Sequence, residues 1–116
     1  MNGIHCDVLG AGEAVVLIHG WGMHSGIWMD FAEALAEYYQ VICLDLPGHG
    51  LSKPLVNQTF SELSQVLLAV IPAEKFKIIG WSLGGLFALN MARVSPDRVQ
   101  AVMMLASNPC FVAHDK

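Results

Sequence analysis

An α/β fold is what this sequence predicts: a three-layer α/β/α sandwich with helices on both faces of a mostly parallel sheet. Short apolar runs rich in β-branched residues alternate with stretches of helical periodicity. That alternation builds β-α-β units with right-handed crossovers. Mean hydropathy is +0.50 over 116 residues, high for a small domain. No apolar stretch approaches the length of a membrane span, so the surplus reads as parallel strands buried on both faces.

The elements follow in order. Residues 3–9 form a possible first strand, ended by Gly10-Ala11-Gly12. Ala14–Ile18 is too short for a helix and β-branched, hence a buried strand. Residues 25–38 carry Trp28, Phe31 and Leu35 on one side and Asp30, Glu33 and Glu37 on another, the pattern of an amphipathic helix. Residues 41–44 are the next strand, and residues 46–56 a loop with Pro47, Gly48, Gly50 and Pro54. Thr59-Phe60-Ser61-Glu62 is a capping box opening a helix through Leu63, Leu67 and Val70, stopped by Pro72. Residues 76–79 are a strand, Leu83–Val94 a helix closed by Ser95-Pro96, and residues 99–106 a further apolar strand. From Ser107 onward the chain reads as loop.

The composition excludes some functions. A net charge of -4, with 14% charged residues, lacks the basic face of a nucleic-acid binder. The start Met1-Asn2-Gly3-Ile4-His5 has neither the basic opening nor the apolar core of a signal peptide. Cys6, Cys43 and Cys110 are odd in number and without C-x-x-C spacing, so a reducing cytoplasm is expected. Cys43, inside an apolar run, reads as a small core residue. No histidine–cysteine pair has metal-ligand spacing.

The chemistry concentrates at Gly80-Trp81-Ser82-Leu83-Gly84, a G-x-S-x-G pattern between a strand and a helix. This is the context of a nucleophile elbow and points to acyl transfer through a serine ester. A tight turn lifts the hydroxyl above the sheet and strains the serine backbone. Gly80 and Gly84 remove side chains that would collide in the turn, and Gly85 is expected to let the helix approach the sheet. The amide of Leu83, at a helix N-terminus, suits negative charge and forms half of an oxyanion hole. The other half is expected from His19-Gly20-Trp21-Gly22, with Trp21 giving its amide and its indole lining the acyl pocket or covering the serine. Asp45-Leu46-Pro47-Gly48-His49-Gly50-Leu51-Ser52 closes the strand between the two.

At these residues the chain resembles the α/β-hydrolase superfamily. Within it, the chain is most similar to the carboxylesterases of biotin synthesis that remove the methyl group from pimeloyl-acyl-carrier-protein methyl ester. Pro96-Asp97-Arg98-Val99-Gln100-Ala101, running on to Ala106-Ser107-Asn108-Pro109-Cys110-Phe111, is the most discriminating stretch. The resemblance covers the whole chain but about the first half of the family. It implies Ser82 as nucleophile, Leu83 and Trp21 as oxyanion donors, an acyl ester borne on acyl carrier protein, and no metal or organic cofactor. It implies neither a nucleic-acid partner nor a membrane. The family's acid, base and helical cap have no matching positions in residues 1–116. The expectation is therefore the N-terminal part of one α/β-hydrolase domain, truncated before the cap and last strands and inactive alone. A menaquinone-pathway lyase, a C–C bond hydrolase and a non-catalytic fragment are the rival readings. Dehalogenases and epoxide hydrolases carry aspartate where this chain has Ser82.

The remaining histidines and carboxylates are not expected to complete a triad. His19 is expected to make structural hydrogen bonds, and His49 to sit in the loop at the pocket mouth. Nothing in the spacing selects His24, and His5 and His114 read as solvent-facing. Asp45 precedes the serine, against the Ser…Asp/Glu…His order. Asp115 has no histidine after it.

Overall fold

The structure, a computed structural model, describes residues 3–20, 22, 25–54 and 58–105, without the side chain of Ser25. The strands are β1 (Cys6–Leu9), β2 (Ala14–Ile18), β3 (Gln40–Leu44), β4 (Phe76–Trp81) and β5 (Val99–Leu105). The helices are α1 (Met29–Leu35), preceded by a 3-10 turn at Ser25–Trp28, α2 (Phe60–Val70) and α3 (Leu83–Val94). The strands form one sheet in the order β1-β3-β2-β4-β5. β1 runs antiparallel to β3, and the other pairings are parallel.

β2 lies at the centre, and all five of its residues are buried, as a strand covered on both faces must be. Alternation divides its side chains between two cores. Val15 and Leu17 join Val41, Cys43, Trp28 and Ala32 beneath α1. Val16 and Ile18 join Ile42, Leu44, Ile78, Leu67, Phe87 and Met91 beneath α2 and α3. Fully burying one such aliphatic side chain stabilises the fold by about 1.5–3 kcal/mol.

The 25–38 segment departs from the single helix expected. Its first turn winds as a 3-10 helix and the α-helix ends at Leu35. Three residues per turn in place of 3.6 rotates the face that meets the sheet. Trp28 and Ala32 are buried, whereas Phe31, expected inside, is exposed beside the Trp28 ring. The end of the helix abuts the β1–β2 connection: a Cβ on Gly10 would lie 2.5 Å from the Ala36 carbonyl oxygen and 2.4 Å from that of Tyr39. The first strand is also shorter than expected, starting at Cys6.

The capping box at α2 is formed as read. Thr59 Oγ1 accepts from the Glu62 amide at 3.0 Å, and Glu62 Oε1 accepts from the Thr59 amide at 2.7 Å. Past the other end of α2, Arg98 donates to the carbonyls of Leu68, Ile71, Ala73 and Glu74 and stacks over Phe76. One guanidinium thereby bonds carbonyls at the end of the helix and in the turn after it, that of Leu68 accepting from the Ile71 amide as well. β5 ends at Leu105, and the expected loop from Ser107 lies outside the described residues. Among the described residues, no helix is long and apolar enough to cross a membrane.

Candidate functional site

Ser82 stands between β4 and α3 with φ 58° and ψ −116°. It is the only non-glycine with positive φ among the described residues. Such a conformation costs on the order of 1–3 kcal/mol and persists only where the surroundings impose it. They do so here. The Ser82 amide continues the sheet by donating to the Leu105 carbonyl at 3.1 Å. Its carbonyl already accepts from Gly85 at 2.8 Å and Leu86 at 3.4 Å, so the helix begins at once. Ser82 is half-buried, not packed into the interior.

The glycines allow the turn to close. A Cβ on Gly80 would stand 2.4 Å from the Gly84 carbonyl oxygen. A Cβ on Gly84 would stand 2.2 Å from the Ile18 carbonyl oxygen and 2.5 Å from that of His19. Gly84 makes its close approach to the end of β2, while the Gly85 Cα lies 2.6 Å from where a Cβ on Gly80 of β4 would stand. The first turn of α3 thus abuts the start of the His19-Gly20 loop. Leu83 takes the first helical position, where the amide has no partner within the helix.

Two histidines cross-tie the loops after β2 and β3. His19 is fully buried. Its Nε2 accepts from the Leu46 amide at 2.9 Å, and its Nδ1 lies 2.7 Å from the Gly20 carbonyl. A nitrogen that accepts an amide proton carries none of its own, so the proton is on Nδ1 and is donated to Gly20. The 3.9 Å between His19 Nε2 and Asp45 Oδ1 is then proximity of two acceptors, not an ion pair. His49 repeats the scheme in reverse. Its Nε2 accepts from the Gly22 amide at 3.0 Å, and its Nδ1 donates to the Pro47 carbonyl at 3.0 Å. The two rings lie 5.2 Å apart.

Asp45 is buried and organises its own loop. Its Oδ2 accepts from the Leu51 amide at 3.1 Å, and its carbonyl accepts from Ser52 Oγ at 2.6 Å. Gly50 lies so close that a Cβ there would meet the carboxylate at 2.5 Å. Cys43 is buried, as expected of a core residue. Burial, and then the negative charge of Asp7, Cys6 and Asp45, pushes its thiol from the ordinary 9.0 up to about 12. That thiol stays protonated and is no nucleophile at neutral pH.

Of the residues singled out in the sequence, the structure brings Ser82 and Leu83 to one strand–helix junction against the end of β2. Trp21, the expected second donor, lies outside the described residues, as do His24, His114, Asp115 and Cys110. His5 is partly enclosed rather than solvent-facing, with Nε2 3.0 Å from Asp7 Oδ2. Sequence reasoning missed the His49 contact with Gly22. The Pro-Gly-His-Gly loop was visible, but nothing local signals a partner 27 positions away.

A family model described as the alpha/beta hydrolase fold matches residues 13–116. The chain belongs to the alpha/beta hydrolase fold family. Among curated members, it is 38% identical over 112 residues to a protein of Nitrosomonas europaea named pimeloyl-[acyl-carrier protein] methyl ester esterase, covering 97% of this chain and 44% of that one. A protein of the same name from Xanthomonas campestris pv. campestris is 44% identical over 110 residues, covering 94% of this chain and 42% of that one. The chain thus spans less than half the length of these relatives. A solved structure titled a putative epoxide hydrolase mutant, from Pseudomonas aeruginosa, superposes with a TM-score of 0.86 at 27% identity, covering 97% of this chain and 40% of that one. The strand-to-helix turn at Ser82 lies within the matched residues.

Proposed function

We propose that the protein is a serine carboxylesterase that hydrolyses the methyl ester of pimeloyl-acyl-carrier protein through an acyl-enzyme on Ser82. The observation that carries this reading is the strained Ser82, half-buried at the head of α3, whose first turn abuts the start of the loop after β2 through Gly84. The relatives named pimeloyl-[acyl-carrier protein] methyl ester esterase support the substrate. The serine, in place of an aspartate, speaks against epoxide chemistry.

In this reading, the Ser82 oxygen gives its proton to a base and attacks the ester carbonyl carbon. The amides of Leu83 and Trp21 bind the resulting oxyanion. The tetrahedral intermediate collapses, the base returns its proton to the methoxide, and methanol leaves. Water then attacks the acyl-enzyme, frees Ser82 and releases the carboxylate. His19 and His49 are not this base, because each presents Nε2 to a backbone amide and Nδ1 to a carbonyl. In this reading the base and its acid are residues other than His19 and His49. No metal or organic cofactor enters these steps, and the enzyme works in the cytoplasm.

The full-length gene product should hydrolyse short acyl methyl and nitrophenyl esters, and Ser82→Ala should lower turnover on the order of a million-fold. Turnover that survives this substitution refutes the assignment. Labelling of the wild type, but not the variant, by a fluorophosphonate would separate an activated serine from an inert module.

A further inference from the structure

We propose that Trp28 is a positioning residue for Ser82: its buried indole seats the ring of Trp81 and so fixes the residue that leads into the strained turn. The inference rests on the esterase reading above. Trp28 closes the 3-10 turn before α1 and is 3% exposed. Trp81 is the last residue of β4, half-buried, and Ser82 follows it directly. The two ring centroids lie 6.0 Å apart with their planes at 63°, an edge contact of the kind aromatic pairs favour. Trp81 and Leu105 both pack on the core that holds Trp28, and the Leu105 carbonyl accepts from the Ser82 amide at 3.1 Å.

Side chains alternate along β4, so Trp81 lies on the α1 face of the sheet, whereas α3 covers the other. The serine turn is therefore held from both faces. On one, Gly84 brings the first turn of α3 against the end of β2. On the other, Trp28 holds the ring of the residue before the serine. A residue with φ 58° keeps that conformation only while its surroundings impose it. Relaxing the turn shifts residue 81 as well, and a ring seated on Trp28 resists that shift. The Trp28 nitrogen has no hydrogen-bond partner among the described residues. The indole is thus held by packing, and a buried donor left unpaired is a cost. What the turn uses is the aromatic ring, and a phenyl ring would serve without that cost.

The test uses the full-length protein with a nitrophenyl ester. Trp28→Leu keeps apolar bulk but removes the ring, and should lower kcat by about 10- to 100-fold with KM changed less than about threefold. Trp28→Phe restores a ring and should keep kcat within about threefold of wild type. Trp81→Ala should lose as much kcat as Trp28→Leu, and adding Trp28→Leu to it should cost nothing further, because Trp28 acts through that ring. Val41→Ala opens a cavity in the same core, on a strand that does not adjoin β4, and should lower the urea midpoint while leaving kcat within about threefold. Circular dichroism should show the couplet of two interacting indoles in the wild type and its loss in Trp28→Phe. A kcat that Trp28→Leu leaves unchanged overturns the proposal, as does a loss that Trp28→Phe fails to rescue, an equal loss in Val41→Ala, or a further loss on top of Trp81→Ala. If Trp28→Leu does not fold, a wild-type kcat in Trp81→Ala overturns it. Turnover indifferent to Ser82→Ala overturns the esterase reading instead, and the couplet then decides the ring contact on its own, its absence refuting that contact.

Discussion

Replacing Gly84 by alanine should separate the strand–helix turn from the end of β2. A Cβ at that position would lie 2.2 Å from the Ile18 carbonyl oxygen and 2.5 Å from the His19 carbonyl oxygen, whereas ordinary contact begins at 3.4 Å. The deficit is roughly 1 Å. Both obstacles are backbone atoms, one in a fully buried central strand and the other beginning the cross-tied loop. Neither can swing aside as a flexible side chain would, so α3 must move. Overpacking of this kind costs about 1–3 kcal/mol, and the upper end is expected because the contact is backbone to backbone. Moving α3 also carries the Leu83 amide away from the β2 loop, and a displacement near 1 Å can reduce turnover about 100-fold. Urea unfolding of the full-length variant should therefore show a lower midpoint with an unchanged slope. Ester hydrolysis at a temperature where it is folded should show the loss in kcat. A variant with wild-type midpoint and wild-type kcat would show that α3 does not bear on β2, and the geometric reasoning about Ser82 would fall with it.

Two further outcomes follow from the packing. Arg98→Lys keeps the charge but loses the planar fork that reaches the carbonyls of Leu68, Ile71, Ala73 and Glu74. It should destabilise by about 2–3 kcal/mol in chemical denaturation, and a cost below about 0.5 kcal/mol would show that water replaces the fork. Cys43 ionises near 9.0 when unfolded and only at about 12 when folded. Its contribution is therefore fully present below pH 9 and is lost as pH rises toward 12, because the unfolded chain releases the proton first. Unfolding experiments should show stability falling over that window more steeply in wild type than in Cys43→Ala, and identical slopes would contradict the assignment of burial as the cause.

Much of the fold was legible because its signals are local. The bounds of α3 were readable since Gly80-Trp81-Ser82-Leu83-Gly84 marks its start and Ser95-Pro96 its end. The capping box of α2 was readable because both partners lie within four residues. What escaped depends on chain segments far apart. The exposure of Phe31 follows from a 3-10 turn that shifts the helix face. The antiparallel course of β1 depends on which edge of the sheet receives it. Arg98 sat in a stretch noted for its resemblance, yet its bonds reach back 24 to 30 positions. The Gly22 contact of His49 is set by tautomer and by a partner in another loop, neither of which spacing encodes.

The strand order explains why these particular loops meet. From β2 the chain passes through α1 to β3, on one side of the central strand. It then crosses through α2 to β4, on the other side. Connections leaving β2 and β4 therefore diverge: α1 covers the face that holds Val15 and Leu17, and α3 covers the face that holds Val16 and Ile18. Two neighbouring parallel strands whose connections depart to opposite faces leave a crevice beyond their C-terminal ends, and ligands bind there in open α/β sheets. Ile18 pairs with Gly80 across this boundary. One side of the crevice is thus the serine turn and the other the His19-Gly20 loop, brought together by hydrogen-bond register rather than by any affinity between them. With the register fixed, three small devices finish the geometry: a glycine that lets α3 touch β2, and two neutral imidazoles that hold the loop against the one after β3.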